Sequence, residues 1–209
     1  MFFEPLLADK KAAAPALPEL PPWKASPALE TGALLAAELT VARSANVIVH
    51  VPAIRVYSSG CMFDVEVVCR QAAMSDPDWW DLFMSVHAGF LRGYGGAHLP
   101  DKLLRLGVRY ADGAKATTID QGRFRPSTSG ESPAGPLLSW QPGSSSSHSR
   151  HLNFSGFGLW LWPLPPAETF EFAAEWPFAG IDLSIVELDG AAIVAAAARS
   201  ATYWPESQE

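Results

Sequence analysis

Charge is scarce in this chain and cysteine scarcer. Charged residues occupy 18% of the 209 positions and the formal net charge is −7, against a charged share of about 25% in an average globular protein. Basic residues never gather beyond close pairs, such as Lys10-Lys11 and Arg123 with Arg125. Proteins that hold phosphate backbones gather Lys and Arg on one face, so no nucleic-acid partner is expected. The two cysteines, Cys61 and Cys69, fall on one predicted strand, about 26 Å apart at roughly 3.3 Å per residue. A disulfide needs Cα atoms about 4.4–6.8 Å apart, so the pair reads as free core thiols, suited to a reducing compartment. No apolar run approaches the ~20 residues that span a bilayer; the longest is 191–198. With no basic leader ahead of an apolar stretch, the expectation is a cytoplasmic protein without a membrane partner.

Catalytic signatures are missing too. Gly-x-Ser-x-Gly does not occur, and the serines crowd into stretches such as Ser144–Ser147 without a positioned base. Gly93-Tyr94-Gly95-Gly96 lacks the Lys-Ser/Thr of a phosphate loop and the spacing of a dinucleotide site. His148 and His151 have the spacing of a metal pair but no third ligand nearby, while His50, His87 and His98 stand alone. No catalytic residue, cofactor or metal is expected. Asp64 and Glu66, two apart on one strand face, would bring carboxylates within about 6–8 Å, close to the roughly 6.5–9.5 Å of inverting glycosidases. A wetted strand face supplies such pairs without any chemistry. Glu171 and Glu175 share a face as well, but at about 13 Å they cannot act together.

What the chain has is hydrophobic residues (48%), 18 prolines and 8 tryptophans. Two-residue periodicity dominates. Leu159 to Trp162 and Phe170, Phe172, Ala174, Trp176 flank a proline-rich turn and predict a β-hairpin. Upstream, Val47, Val49 and Val51 alternate, Pro52 marks a bulge or an edge, and Phe63, Val65 and Val67 follow after a Ser-Ser-Gly turn. Leu104, Leu106, Val108 and Tyr110 lead to Asp112-Gly113 and then to Lys115–Ile119, a hairpin of type I′ by its turn residues. Leu152 and Phe154 set one parity and Phe157, Leu159 and Leu161 the other, which predicts a bulge at Gly156. Ile181, Leu183 and Ile185 form a further strand, and 143–147 reads as a flexible loop.

Helix signals are few. Ser75-Asp76-Pro77-Asp78 opens a short helix that carries Trp79, Trp80, Phe83, Met84 and His87 and ends by Gly89. Asp189 caps a terminal helix running to about Ala201. The reading is a mainly β, antiparallel β-sandwich with an inserted helix, a C-terminal helix and a Pro-rich N-terminal arm. Its parts are the arm at 1–33, extended or disordered, a single domain at 34–205 and a polar tail at 206–209.

Several segments together resemble a group of small, β-rich actinobacterial proteins of unknown function. They are Ala42-Arg43-Ser44 leading to Tyr57-Ser58-Ser59-Gly60, the run 103–118, the stretch 160–166, and Glu175-Trp176-Pro177 with Glu187-Leu188-Asp189 and Trp204-Pro205. The resemblance covers about residues 35–205, implies one intact domain and carries no functional residue.

Trp160 and Trp162 are the candidate surface. With Leu159 and Leu161 on the core face, both indoles turn to the opposite side, where exposed aromatics serve a protein partner or a ligand. The competing expectation is that the arm, the terminal helix or a second subunit covers them. The function expected is a non-catalytic structural or protein-interaction module of the cytoplasm, self-associating or binding another protein. The alternative is a carbohydrate- or small-molecule-binding sandwich using the tryptophan face, with hydrolase activity through Asp64 and Glu66.

Overall fold

The computed structural model describes residues 20–86, 101–120 and 132–204, with 142–144 as backbone only. Alternating valines build an antiparallel meander of β2 (Ala33–Arg43), β3 (Val47–Val56) and β4 (Cys61–Arg70). Beside β4 lies β8 (Leu152–Trp162), and beyond it β7 (Leu137–His148), completing a five-stranded sheet of order β2-β3-β4-β8-β7. A four-stranded sheet of order β10-β9-β5-β6 faces it. Its strands are β5 (Arg105–Arg109), β6 (Lys115–Thr117), β9 (Thr169–Trp176) and β10 (Ile181–Asp189), again all antiparallel. Between the sheets Phe63 of β4 meets Phe172 of β9 at 5.0 Å between ring centroids, within one buried core that includes Val49, Leu106, Leu159 and Trp176. The chain is the antiparallel sandwich that its turn spacing implies.

Both helices start where their caps predict. Ser75 Oγ accepts from the Asp78 N–H at 3.3 Å and donates to the Asp78 carboxylate at 2.6 Å, opening α1 (Asp76–Val86). The expected end near Gly89 and His87 lies outside the described residues. Asp189 Oδ1 accepts from the Ala192 N–H at 3.0 Å and opens α2 (Gly190–Ala197), which drives Ile193 and Ala196 into the core. A Cβ at Gly190 would sit 2.1 Å from the Pro166 carbonyl oxygen, so only glycine lets the helix start against that loop. The helix is shorter than its alanine run suggests. Ala201–Thr202 (β11) leaves to pair with Glu30–Thr31 (β1), and those backbone bonds end the helix at Ala197.

The Asp112-Gly113 hairpin forms, with Gly107, Val108 and Arg109 opposite Thr117, Ala116 and Lys115, but its turn differs from expectation. The Gly113 N–H reaches the Tyr110 carbonyl at 3.0 Å and the Tyr110 N–H reaches the Ala114 carbonyl at 2.8 Å. Gly113 has φ 87°, while Asp112 is not among the positive-φ residues. This is a three-residue loop with a glycine bulge rather than a type I′ turn, held by Asp112 Oδ1 accepting from the Ala114 N–H at 2.8 Å.

Two further expectations are corrected. No bulge occurs at Gly156, because β4 and β8 keep one unbroken register from Arg70–Leu152 to Cys61–Leu161. The odd positions therefore face inward throughout. Asn153 and Ser155 are buried, Leu152 is 48% exposed, and the continuous ladder prevails over the local apolar pattern. Asn153 Nδ2 donates to Ser155 Oγ at 3.3 Å, while Asn153 Oδ1 accepts no hydrogen bond from any of the described residues. The expected loop at 143–147 is strand, since β7 continues past a bulge between Gln141 and Ser145 along the free edge of β8. Pro52, by contrast, does what its missing N–H requires: the ladders to β2 and β4 both shift register around it.

Candidate functional site

The tryptophan face is covered from within the chain, Trp160 fully and Trp162 in part. Trp160 is 0% exposed. Its Nε1 donates to the Pro22 carbonyl at 2.9 Å, Tyr57 packs edge-on at 5.7 Å, and Trp23 meets Trp162 edge-on at 6.0 Å. Gln141 Nε2 fixes the same segment by donating to the Lys24 carbonyl at 2.9 Å. Trp160 is thus no open platform for a partner or ligand, because residues 22–24 occupy the place such a molecule would take. The alternation of Trp160 with Leu161 told that a cover was needed, but could not tell which segment supplies it.

The other sequence candidates are each engaged separately. Asp64 Oδ1 is held by Arg55 at 2.6 Å, and the guanidinium pKa is raised chiefly by that hydrogen bond. Glu66 stands in register with His50 and Gly156. His151 Nδ1 lies 2.8 Å from Gln71 Oε1, whereas the His148 ring packs on Phe83 at 5.9 Å, so the two histidines serve different neighbours. Among the described residues no group of three or more His, Cys, Asp or Glu could hold a metal, and no helix is long and apolar enough to cross a membrane. Cys61 and Cys69 are free and buried, and desolvation pushes the Cys69 thiol up to about 12 and raises Cys61 as well. A cleft of about 320 Å³ lies between the Ser44–Asn46 turn, Leu82 and Phe178–Gly180. Its Ser44 hydroxyl is already taken by the Val47 N–H at 3.2 Å.

A different surface stands out once the sheets are assembled. The spacing of Ile181, Leu183 and Ile185 predicts three apolar side chains on one inner face. In β10 a register shift between Ile181 and Ser184 places Asp182 and Leu183 together opposite Glu175 and reverses the parity beyond. Ile181 stays buried, but Leu183 is 64% and Ile185 43% exposed. Ser184 takes an inner position instead, where its hydroxyl donates to the Val41 carbonyl of β2 at 2.7 Å. That bond joins the edges of the two sheets and holds the shift in place.

The outer face of this sheet is ordered in rows. Strand register aligns Glu187, Glu171, Arg109 and Lys115 across the four strands, and beside them Ile185, Ala173, Gly107 and Thr117. On the far side come Asp182 and Leu183, then Glu175 and Arg105. Within the sheet Arg109 forks onto Glu171, with Nη2 at 2.9 Å, and Arg105 Nη1 meets Glu175 at 2.7 Å. The Glu171 carboxyl is held below its usual range by the Arg109 hydrogen bond. Glu187 and Lys115, at the two ends of the first row, have no ion-pair partner among the described residues. Acids thus gather on β10 and β9 and bases on β5 and β6, around a low centre of Ala173 and Gly107. The arginines escape a local reading because β5 and β9 are about 60 residues apart in sequence. Comparison of the chain with protein-family models, with curated proteins and with solved structures finds no match.

Proposed function

We propose that this chain is a non-catalytic protein-interaction module of the cytoplasm, and that the outer face of the four-stranded sheet is the surface it uses. The observation that carries the reading is the outward turn of Leu183 and Ile185 while Ser184 takes an inner position. A sequence that places two large aliphatic side chains in solvent and a serine inside breaks a local rule of sandwiches, and such breaks concentrate where function demands them. Exposed apolar residues rimmed by charge are the makeup of protein contacts. The buried free thiols of Cys61 and Cys69 support a reducing compartment. The carbohydrate-binding alternative has less behind it, since Trp160 lies under the arm and Asp64 is engaged by Arg55.

The test is site-specific crosslinking. Ile185 is replaced by a photo-reactive phenylalanine analogue in the full chain, which is irradiated in the cells that make it, and the adducts are weighed. A discrete protein adduct that Leu183→Asp removes is the expected result. Absence of any adduct, or one indifferent to Leu183→Asp, overturns the assignment of this face.

A further inference from the structure

Resting on that reading of the face, we infer that its partner is a second copy of this chain, docked face to face about a two-fold axis that runs along the strands. The argument is charge symmetry. The row Glu187, Glu171, Arg109, Lys115 runs from acid to base across the sheet, and Asp182, Glu175, Arg105 runs the same way. A two-fold axis parallel to the strands reverses the order of strands while keeping each row level with itself. Glu187 of one copy then lies over Lys115 of the other, and Glu171 over Arg109, twice each by symmetry. The uncharged row closes equally well, with Ile185 over Thr117 and Ala173 over Gly107. An axis in the same plane but across the strands would set acids over acids and bases over bases, so the charge pattern selects one of the two isologous arrangements.

Twisted sheets stack with strands inclined by about 30°, a tilt that the long Glu, Lys and Arg side chains accommodate. Four strands at roughly 4.8 Å spacing and about 20 Å of strand length make a face of about 400 Å². That is near half the area per partner of a standard interface, so the dimer is weak and exchanges rapidly. Glu187, Arg109 and Lys115 lie at the surface, so it is also sensitive to salt.

Sedimentation of the full chain over a concentration series tests this. The dissociation constant is expected to rise about tenfold or more between about 0.1 M and about 1 M NaCl, as the screening length falls from roughly 10 Å to roughly 3 Å. Glu187→Lys alone and Lys115→Glu alone each place like charges together at both symmetric contacts, and each is expected to weaken self-association about tenfold. Neither breaks an ion pair among the described residues, so circular dichroism stays unchanged. Mixed in equal amounts, the two variants are expected to form a heterodimer of wild-type strength, as is the chain carrying both substitutions. A wild type that stays monomeric throughout, or a dimer indifferent to both reversals, overturns the inference. The two failures are distinguishable: a monomer whose Ile185 probe still captures a different protein removes the second copy and keeps the interaction face, whereas a monomer with no adduct removes both.

Discussion

At the scale of single residues the most telling groups are those whose burial opposes their chemistry. Cys61 and Cys69 are held as neutral thiols because desolvation raises both above the ordinary value of 9.0, Cys69 to about 12. A group raised in the folded state contributes stability that is whole below the unfolded pKa and is lost as pH climbs through the folded one. The urea midpoint should therefore hold steady up to about pH 9 and fall from there towards about pH 12. Cys61→Ala/Cys69→Ala should flatten that decline while leaving a remainder from Tyr110, whose phenol burial also raises. A thiol reagent at pH 8 should leave the native chain untouched and label both cysteines in urea. Their lack of a mutual bond was legible from their spacing. The polarity of Asn153 and Ser155 was not, because nothing within 152–156 announces that two polar side chains will be drawn inward by the register of a strand some 90 residues earlier.

At the scale of elements, turn residues and caps were the most readable signals, since each acts over three or four positions. Ser75 and Asp189 cap the helices expected of them, and Asp112-Gly113 turns the hairpin, though with one more residue in the loop than a two-residue turn has. Gly113→Ala should cost about 1 kcal/mol, because φ 87° is unfavourable to any residue with a Cβ. Glu38, at φ 52° in the bulge of β2, gives the opposite case. Glu38→Gly should gain up to about 1 kcal/mol, the relief of strain exceeding the entropy that glycine adds to the unfolded chain. Urea denaturation of both variants checks the pair, and a stabilised Gly113→Ala would mean that the loop has another conformation. Helix α1 shows why faces are harder to read than ends. Trp79, Leu82 and Val86 form its buried stripe, yet exposed Trp80 and Met84 also stand four apart, so helical spacing alone offered two apolar faces and no choice between them.

At the scale of the whole molecule, the arm, the two sheets and the chain's end depend on one another. Removal of residues 1–28 stops before β1, so its pairing with β11 survives. It strips Pro22 from Trp160, Trp23 from Trp162 and Lys24 from Gln141. Tryptophan emission should shift to the red and stability should fall by roughly 2 kcal/mol, the worth of one large side chain brought out of water. An unchanged spectrum would show that the arm does not cover the tryptophans. The outer face of the four-stranded sheet belongs to this scale as well, since its rows exist only once β5, β6, β9 and β10 stand side by side.

Short-range chemistry accounts for what could be read beforehand: two-residue alternation for strands, a missing N–H at Pro52 for the broken ladders, acids and serines for the helix starts. These depend on neighbours within a few positions, and the antiparallel sandwich follows from their sum. Register depends on distant partners. One residue of slip moves every side chain of a strand to the other face, and that choice was made in β8 by the long ladder to β4 and in β10 by the hydroxyl of Ser184 reaching β2. Where Leu183, Ile185 and Asn153 point, which arginine meets which glutamate, and which segment shelters Trp160 were settled by hydrogen bonds, backbone ladders and side-chain bonds alike, to segments far away in the chain.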